Sequence, residues 1–224
     1  MAGVRASPTA TGDRVFLALA DGRVLALRVD DGEQVWARRI GGMPNEILAV
    51  DIQLFVGSTD NYLYCLKIAD GEIGWRKQTG ADVLNRPLAD DDNVYFVSLD
   101  NVLRALNRGH GVQQWMRALP FRPAWAPIGA LDAVIVAGLA VPPRAYFLKD
   151  GAPADALTTD KTGEIVAPLH TFTSPTAFGP VIVLVTRSLA GEVSVTATSR
   201  AIEPPPASGI GPLPNVIPMV APKL

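Results

Sequence analysis

The feature of this 224-residue sequence that most constrains its fold is a short motif that recurs at near-constant spacing. The segments DDGEQVW, ADGEIGW and GHGVQQW each place a glycine four residues before a tryptophan. The tryptophans Trp36, Trp75 and Trp115 are 39 and then 40 residues apart. A period of about 40 residues predicts a chain built from repeated structural units.

Aligning the chain on this motif brings three longer segments into register, residues 13–36, 52–75 and 92–115. A fourth copy keeps the glycine as Gly151 but has Asp155 where the tryptophan is expected, and a fifth copy, residues 180–200, is the most divergent. The alignment predicts five units within a propeller domain of residues 1–202, near residues 5–43, 44–83, 84–122, 123–165 and 172–202.

Within each unit, apolar residues alternate with polar ones over short segments, as in β-strands. Turn pairs such as Asp21-Gly22 and Asp60-Asn61 separate these segments, and they tolerate the positive φ angles of tight hairpins. Each unit is therefore predicted to be a four-stranded antiparallel meander. Because such a sheet is marginal alone, we expect the sheets to stack face to face. The predicted fold is all-β, a partial β-propeller of about five blades.

These segments resemble the pyrroloquinoline quinone (PQQ) type repeat, whose pattern is Ala-x-Asp-x-x-Thr-Gly-x-x-x-Trp. The residues that match are Ala26, Gly32 and Trp36 in the first copy, Gly71 and Trp75 in the second, and Ala105, Gly111 and Trp115 in the third, with Cys65 at the alanine position of the second. The pattern's Asp is replaced by Arg28, Lys67 and Asn107, and its Thr by Asp31, Asp70 and His110. The chain thus resembles the quinoprotein alcohol dehydrogenase-like superfamily and the propeller lipoproteins of outer-membrane assembly.

In that family the motif docks neighbouring blades, so the resemblance implies structural roles for its residues. Each tryptophan is expected to pack flat between blades, and each glycine to let the outer hairpin close. A buried indole also needs an acceptor for its N–H, which a carbonyl of an adjacent strand can supply. The predicted blade-docking residues are Trp36, Trp75, Trp115, Gly32, Gly71, Gly111, Ala26, Cys65 and Ala105.

The family includes dehydrogenases that bind PQQ with Ca²⁺ and envelope proteins that bind no quinone. The dehydrogenases carry eight blades and an adjacent cysteine pair, whereas this chain has five predicted units and one cysteine, Cys65. We therefore expect no cofactor and no enzyme activity.

Other chemistry has little support in the sequence. The two histidines, His110 and His170, are 60 residues apart, which is not the close spacing of most metal ligands. The run Asp90-Asp91-Asp92 lacks the layout of a calcium loop and aligns with a hairpin. The formal net charge of −2, with no long run of one sign, argues against nucleic acid as a partner. We predict no metal site and no catalytic residue.

The two ends of the chain bear on its partners and location. Residues 203–224 hold seven prolines and are predicted to be a flexible tail. Five blades are fewer than the family's usual seven or eight, so we expect either missing upstream blades or self-association. The first 14 residues lack the apolar core of a secretion signal, and no transmembrane segment is visible. A periplasmic or envelope location is implied by the resemblance alone.

Three classes of function remain open. The favoured one is a non-catalytic scaffold of the bacterial cell envelope that binds other proteins through loops and sheet edges. The alternatives are a fragment of a PQQ-dependent dehydrogenase and a ligand-binding or sensor propeller. The fold alone does not choose among them.

Overall fold

The fold was analysed in a computed structural model of the chain. The structure describes residues 2–139, 141–154, 164–173, 180–188 and 190–199. In this part of the chain all regular structure is antiparallel β-sheet, arranged as five separate sheets in sequence order. The predicted all-β propeller-repeat architecture is confirmed.

The first three sheets are four-stranded meanders with the same strand order. The first contains β1 (Thr9–Thr11), β2 (Arg14–Ala18), β3 (Arg23–Arg28) and β4 (Gln34–Arg39). The second contains β5 (Pro44–Val50), β6 (Gln53–Ser58), β7 (Tyr62–Lys67) and β8 (Ile73–Gln78). The third contains β9 (Leu88–Ala89), β10 (Asn93–Ser98), β11 (Val102–Asn107) and β12 (Gln113–Ala118).

Turn chemistry explains why these strands end where they do. The turns between the second and third strands hold Gly22, Asn61 and Asn101 at φ angles of 89°, 65° and 60°. Glycine and asparagine are the residues that adopt this left-handed region most readily. The predicted hairpins therefore form at the predicted turn pairs.

The last two sheets depart from the regular meander. The fourth contains β13 (Ile128–Ala130), β14 (Ala133–Val136) and β15 (Arg144–Phe147). In the fifth, β18 (Pro180–Arg187) pairs along one edge with β19 (Val193–Ser199) and along the other with both β16 (Glu164–Ile165) and β17 (His170–Thr173). Residues 164–165, which the alignment assigned to the end of the fourth unit, thus belong to the fifth sheet, because they pair with β18.

Apolar side chains fill the spaces between consecutive sheets. One cluster joins Phe16, Val24 and Trp36 of the first sheet to Leu54 and Tyr64 of the second. Equivalent clusters join the second sheet to the third, the third to the fourth, and the fourth to the fifth. The core is therefore a series of interfaces between sheets, as expected of a repeat protein.

Some sequence predictions concern residues outside the described part of the chain. These are the substitution of the fourth tryptophan by Asp155 and the proline-rich tail 203–224. Within the described residues there is no helix with the length and hydrophobicity needed to span a bilayer.

Candidate functional site

Each of the three repeat tryptophans contacts the following sheet through its indole N–H. Nε1 of Trp36 donates to the carbonyl of Ile68 over 2.9 Å, and Nε1 of Trp75 donates to the carbonyl of Arg108 over 2.9 Å. Nε1 of Trp115 donates to the carbonyl of Leu148 over 2.8 Å. All three acceptors lie just after the third strand of the next sheet. One hydrogen bond thus recurs at three successive sheet interfaces.

The repeat glycines of the following sheets lie directly against these indoles. A Cβ atom added at Gly71 would lie 2.6 Å from Cε3 of Trp36, and one added at Gly151 would lie 2.6 Å from Cε3 of Trp115. At Gly111 the nearest atom, Cδ2 of Trp75, would be 2.7 Å away. Distances this short leave no room for a side chain. The motif's glycine and tryptophan therefore meet between units, with the tryptophan of one unit on the glycine of the next.

The small residues of the motif lie between two aromatic side chains. Ala26 pairs with Phe16 on one neighbouring strand and with Trp36 on the other. The centroids of the Phe16 and Trp36 rings are 5.9 Å apart. Cys65 and Ala105 occupy the same place in the next two sheets, between Phe55 and Trp75 and between Tyr95 and Trp115. A small side chain here leaves space for the two rings to meet.

An arginine two residues after the tryptophan adds a polar contact at two of the interfaces. Nε of Arg38 donates to the carbonyl of Gly71 over 2.7 Å, and Nε of Arg117 donates to the carbonyl of Gly151 over 2.7 Å. The sequence analysis did not predict this contact between the arginine and the glycine carbonyl. The signal was present as the recurrence of a basic residue, Arg38, Lys77 and Arg117, at the same position of each copy.

One face of the first sheet packs against the second sheet. Among the described residues, no sheet packs against its opposite face, which we call the outward face. Its apolar side chains Val15, Leu17, Leu25 and Leu27 are partly exposed. Their counterparts in the second sheet are fully buried against the first sheet: Leu54, Val56, Tyr64 and Leu66, each at most 1% exposed. We call Val15, Leu17, Leu25, Leu27 and the exposed Val35 the first end face.

The fifth sheet has a comparable surface at the other end of the series. Ile182 and Leu184 of β18 are buried against the fourth sheet. On the neighbouring strand β19, Val193 and Val195 are 63% and 70% exposed, and Ala197 is also exposed. We call Val193, Val195 and Ala197 the last end face. Two apolar surfaces at the ends of a stack of sheets are candidate interaction sites.

Cys65 offers no reactive group. The thiol is 3% exposed, and Nε2 of Gln53 lies 3.4 Å from Sγ. Burial raises the pKa of the Cys65 thiol to about 12. At neutral pH the sulfur is therefore protonated and a poor nucleophile.

The other candidates from the sequence lie in turns and exposed positions. The carboxylate of Asp90 accepts hydrogen bonds from the Tyr95 hydroxyl over 2.6 Å and from the N–H groups of Asp92 and Asn93. His110 and His170 are exposed. Within the ranges that the structure describes, no three His, Cys, Asp or Glu side chains are grouped so as to hold a metal ion.

The described residues include a largely buried ion pair that the sequence analysis missed. Nη2 of Arg104 lies 2.6 Å from Oδ2 of Asp100, and the two side chains are 10% and 17% exposed. Burial alone would raise the pKa of Asp100, but hydrogen bonds from Arg104, Ser98 and the Gly80 N–H outweigh it and lower that pKa to about 2. Because Gly80 lies after β8, this carboxylate ties the third sheet to the segment that precedes it.

The Asp100 pair predicts a pH dependence of stability. The folded pKa of Asp100 lies below that of an aspartate in the unfolded chain, about 3.8, so the contribution of Asp100 to stability is complete above about pH 4 and is lost as the pH falls towards 2. The loss should be about 2 kcal/mol. Urea unfolding of the wild type and of Asp100→Asn, measured between pH 5 and pH 2, should show a flatter profile in the variant. Parallel profiles would contradict this role of Asp100.

Comparison with known proteins gives one family and several similar folds. The family model described as outer membrane protein assembly factor BamB matches residues 1–51 and 45–201. No curated protein sequence gives a significant match.

Three solved structures illustrate the likeness in fold. BamB from Moraxella catarrhalis is 19% identical, with a TM-score of 0.63, and the match covers 87% of this chain and 64% of that one. The computationally designed Ika8 protein is 13% identical, with a TM-score of 0.69 and coverages of 84% and 56%. Quinohemoprotein alcohol dehydrogenase from Comamonas testosteroni is 13% identical, with a TM-score of 0.63 and coverages of 83% and 40%. The chain thus spans less than two thirds of the length of each.

Proposed function

Because the chain belongs to the family described as outer membrane protein assembly factor BamB, we propose that it is a non-catalytic scaffold that binds other proteins in the bacterial cell envelope. The family match supports a protein-interaction role at the level of the family. The finer proposal, that binding occurs through the two end faces and involves no catalysis, comes from the chain's own residues.

The observation that carries the proposal is the contrast between equivalent positions in consecutive sheets. Leu54 and Leu66 are fully buried because the first sheet covers them, whereas their counterparts Val15 and Leu27 are partly exposed on the first end face. Burying apolar surface contributes roughly 25 cal/mol per Å². A partner that covers this face would gain the kind of contact that already joins the first two sheets.

Site-specific photo-cross-linking in a Gram-negative host would test the proposal. A photoreactive amino acid is introduced at Leu17 of the first end face, at Val195 of the last end face, or at Met116. Met116 is the matched control, because it is apolar and 53% exposed but lies on β12, away from both end faces. We expect adducts with envelope proteins from Leu17 or Val195 and not from Met116. Equal yields at all three positions would contradict binding through the end faces.

A second candidate function is that of a dehydrogenase fragment, which the likeness to quinohemoprotein alcohol dehydrogenase favours. The single cysteine, Cys65, cannot form the adjacent disulfide that the resemblance to PQQ enzymes implies. We predict that the protein, mixed with PQQ and Ca²⁺ and then passed through gel filtration, carries no quinone absorbance. Stoichiometric absorbance in the protein fraction would favour the dehydrogenase instead.

A further inference from the structure

We propose that one end of the series of sheets binds the surface of an anionic lipid membrane through exposed arginines and apolar side chains. This inference goes beyond the proposed scaffold function, because it concerns a different surface from the two end faces and a lipid ligand. It is carried by the turns and connections of the first four sheets.

The meander topology gives the series two distinct ends along the strand direction. In the first four sheets, the hairpin between the second and third strands lies at the same end as the connections between sheets. Contacts between sheets hold these segments together: the Gly80 N–H, after β8, donates over 2.9 Å to Oδ2 of Asp100 in the β10–β11 hairpin. Likewise, Pro123 after β12 pairs with Gly138 after β14. The turns after the first and third strands lie at the opposite end.

Exposed arginines collect at the end with the connections between sheets, which we call the arginine end. They are Arg5, Arg39, Arg76, Arg86, Arg122 and Arg144. Among the described residues of this end, Glu46 is the one exposed carboxylate. No described carboxylate forms an ion pair with any of the six arginines. Their positive charges are therefore available to a ligand.

The opposite end, which we call the carboxylate end, has the reverse charge. Its turns expose the carboxylates of Asp30, Asp31, Asp70, Asp91, Asp92 and Asp150, among others. The arginines of this end, Arg14, Arg28 and Arg108, are each paired with a carboxylate. The formal net charge of −2 thus hides a separation of charge between the two ends.

The length of the strands decides whether an anionic surface attracts or repels the chain. The strand β6 has six residues, so the two ends lie about 20 Å apart. Electrostatic interactions are screened within about 8–10 Å at physiological salt. An anionic surface that contacts the arginine end therefore interacts strongly with the arginines and only weakly with the distant carboxylates. The chain should bind with the arginine end towards the membrane.

Apolar side chains among the arginines favour a lipid over a purely acidic partner. Sδ of Met43 lies 3.5 Å from Nη1 of Arg5. Leu139, which is 57% exposed, lines an open groove of about 420 Å³ with Phe121, Arg122 and Trp125. Guanidinium groups bind phosphate through paired hydrogen bonds, and aliphatic and aromatic side chains enter the boundary between headgroups and acyl chains. A phospholipid surface offers a partner to both kinds of side chain.

Sedimentation of the intact chain with lipid vesicles tests the proposal. Vesicles of phosphatidylcholine alone are compared with vesicles of equal parts phosphatidylcholine and phosphatidylglycerol. We expect binding to the anionic vesicles that decreases as salt is raised, and little binding to the neutral ones. Binding to neither, or equal binding to both, would overturn the proposal. Retention on immobilised polyglutamate without vesicle binding would also overturn it and would assign the arginine end to an acidic protein.

Two double variants with the same change in net charge test which end binds. Arg122→Gln combined with Arg144→Gln removes two exposed cations from the arginine end, and Lys67→Gln combined with Lys149→Gln removes two from the carboxylate end. The first should weaken binding to anionic vesicles on the order of tenfold, whereas the second should change it less than about twofold. Equal losses in the two variants would overturn the assignment to the arginine end.

A fluorophore that responds to solvent polarity tests the orientation. It is attached to Leu139→Cys at the arginine end or to Ile52→Cys, which is 76% exposed in the β5–β6 turn of the carboxylate end. Cys65 should not be labelled, because it is 3% exposed. With anionic vesicles we expect a shift to shorter wavelength at position 139 and none at position 52. Equal shifts, or a shift at position 52 alone, would overturn the orientation. Failure of membrane binding would leave the scaffold function intact, because cross-links from Leu17 and Val195 report on the end faces.

Discussion

Replacement of Trp36 by alanine is expected to lower the free energy of unfolding by about 3–5 kcal/mol, as for other large buried aromatic side chains. The indole is 8% exposed and lies between the first and second sheets, against Phe16 and Gly71. Its removal leaves a cavity at this interface and eliminates the hydrogen bond to the carbonyl of Ile68. Urea unfolding followed by circular dichroism measures the effect.

Trp36→Phe is the control for this prediction. Phenylalanine keeps an aromatic ring in the interface but has no N–H to donate and is smaller than the indole. Its cost should therefore be clearly smaller than that of Trp36→Ala. A loss below about 1 kcal/mol for Trp36→Ala, the size expected of an ordinary surface substitution, would mean that the indole does not hold the two sheets together.

Gly71→Ala is expected to destabilise the protein by about 2–5 kcal/mol. A residue with a Cβ costs about 1–2 kcal/mol in the left-handed region that Gly71 occupies. A further 1–3 kcal/mol, roughly, should come from overpacking, because the new methyl group would lie 2.6 Å from Cε3 of Trp36. The same urea unfolding experiment measures the total.

Gly32→Ala provides a matched control within the same chain. Gly32 has nearly the same φ angle, 73° against 70°, but no described atom beyond its two chain neighbours lies within 4 Å of an added Cβ. Its substitution should cost the backbone strain alone, about 1–2 kcal/mol. If Gly32→Ala and Gly71→Ala are equally destabilising, then the indole does not press on Gly71 in solution.

Most of the fold could be predicted from the sequence because the signals are local and repeated. A tight hairpin needs residues that tolerate positive φ, and Asn61 and Asn101 occupy such positions. Alternating apolar residues then fix the strands between the turns, as in β6 and β7. The 39- and 40-residue spacing of Trp36, Trp75 and Trp115 supplies the unit length.

The contacts between units could not be predicted in the same way. A repeat alignment shows that Gly32 and Trp36 belong to one motif, but it does not show that Trp36 contacts Gly71 of the next unit. The ion pair between Asp100 and Arg104 was missed because Arg104 has no charged counterpart in the first two copies, where Leu25 and Tyr64 occupy its position. The counterpart of Asp100 in the first copy, Asp21, pairs with Arg23 instead. In the fifth sheet, the presence of two short strands, β16 and β17, along one edge of β18 was missed because the repeat pattern is weakest there.

The blade-docking role assigned to Trp36 and Gly71 stays a prediction until their coupling is measured. A double-mutant cycle of Trp36→Ala and Gly71→Ala tests it most directly, because removal of the indole removes the clash that the new methyl group would meet. We predict that Gly71→Ala costs only about 1–2 kcal/mol in the Trp36→Ala background, which corresponds to a coupling energy of about 1–3 kcal/mol. Additive effects of the two substitutions, with a coupling energy near zero, would contradict the account.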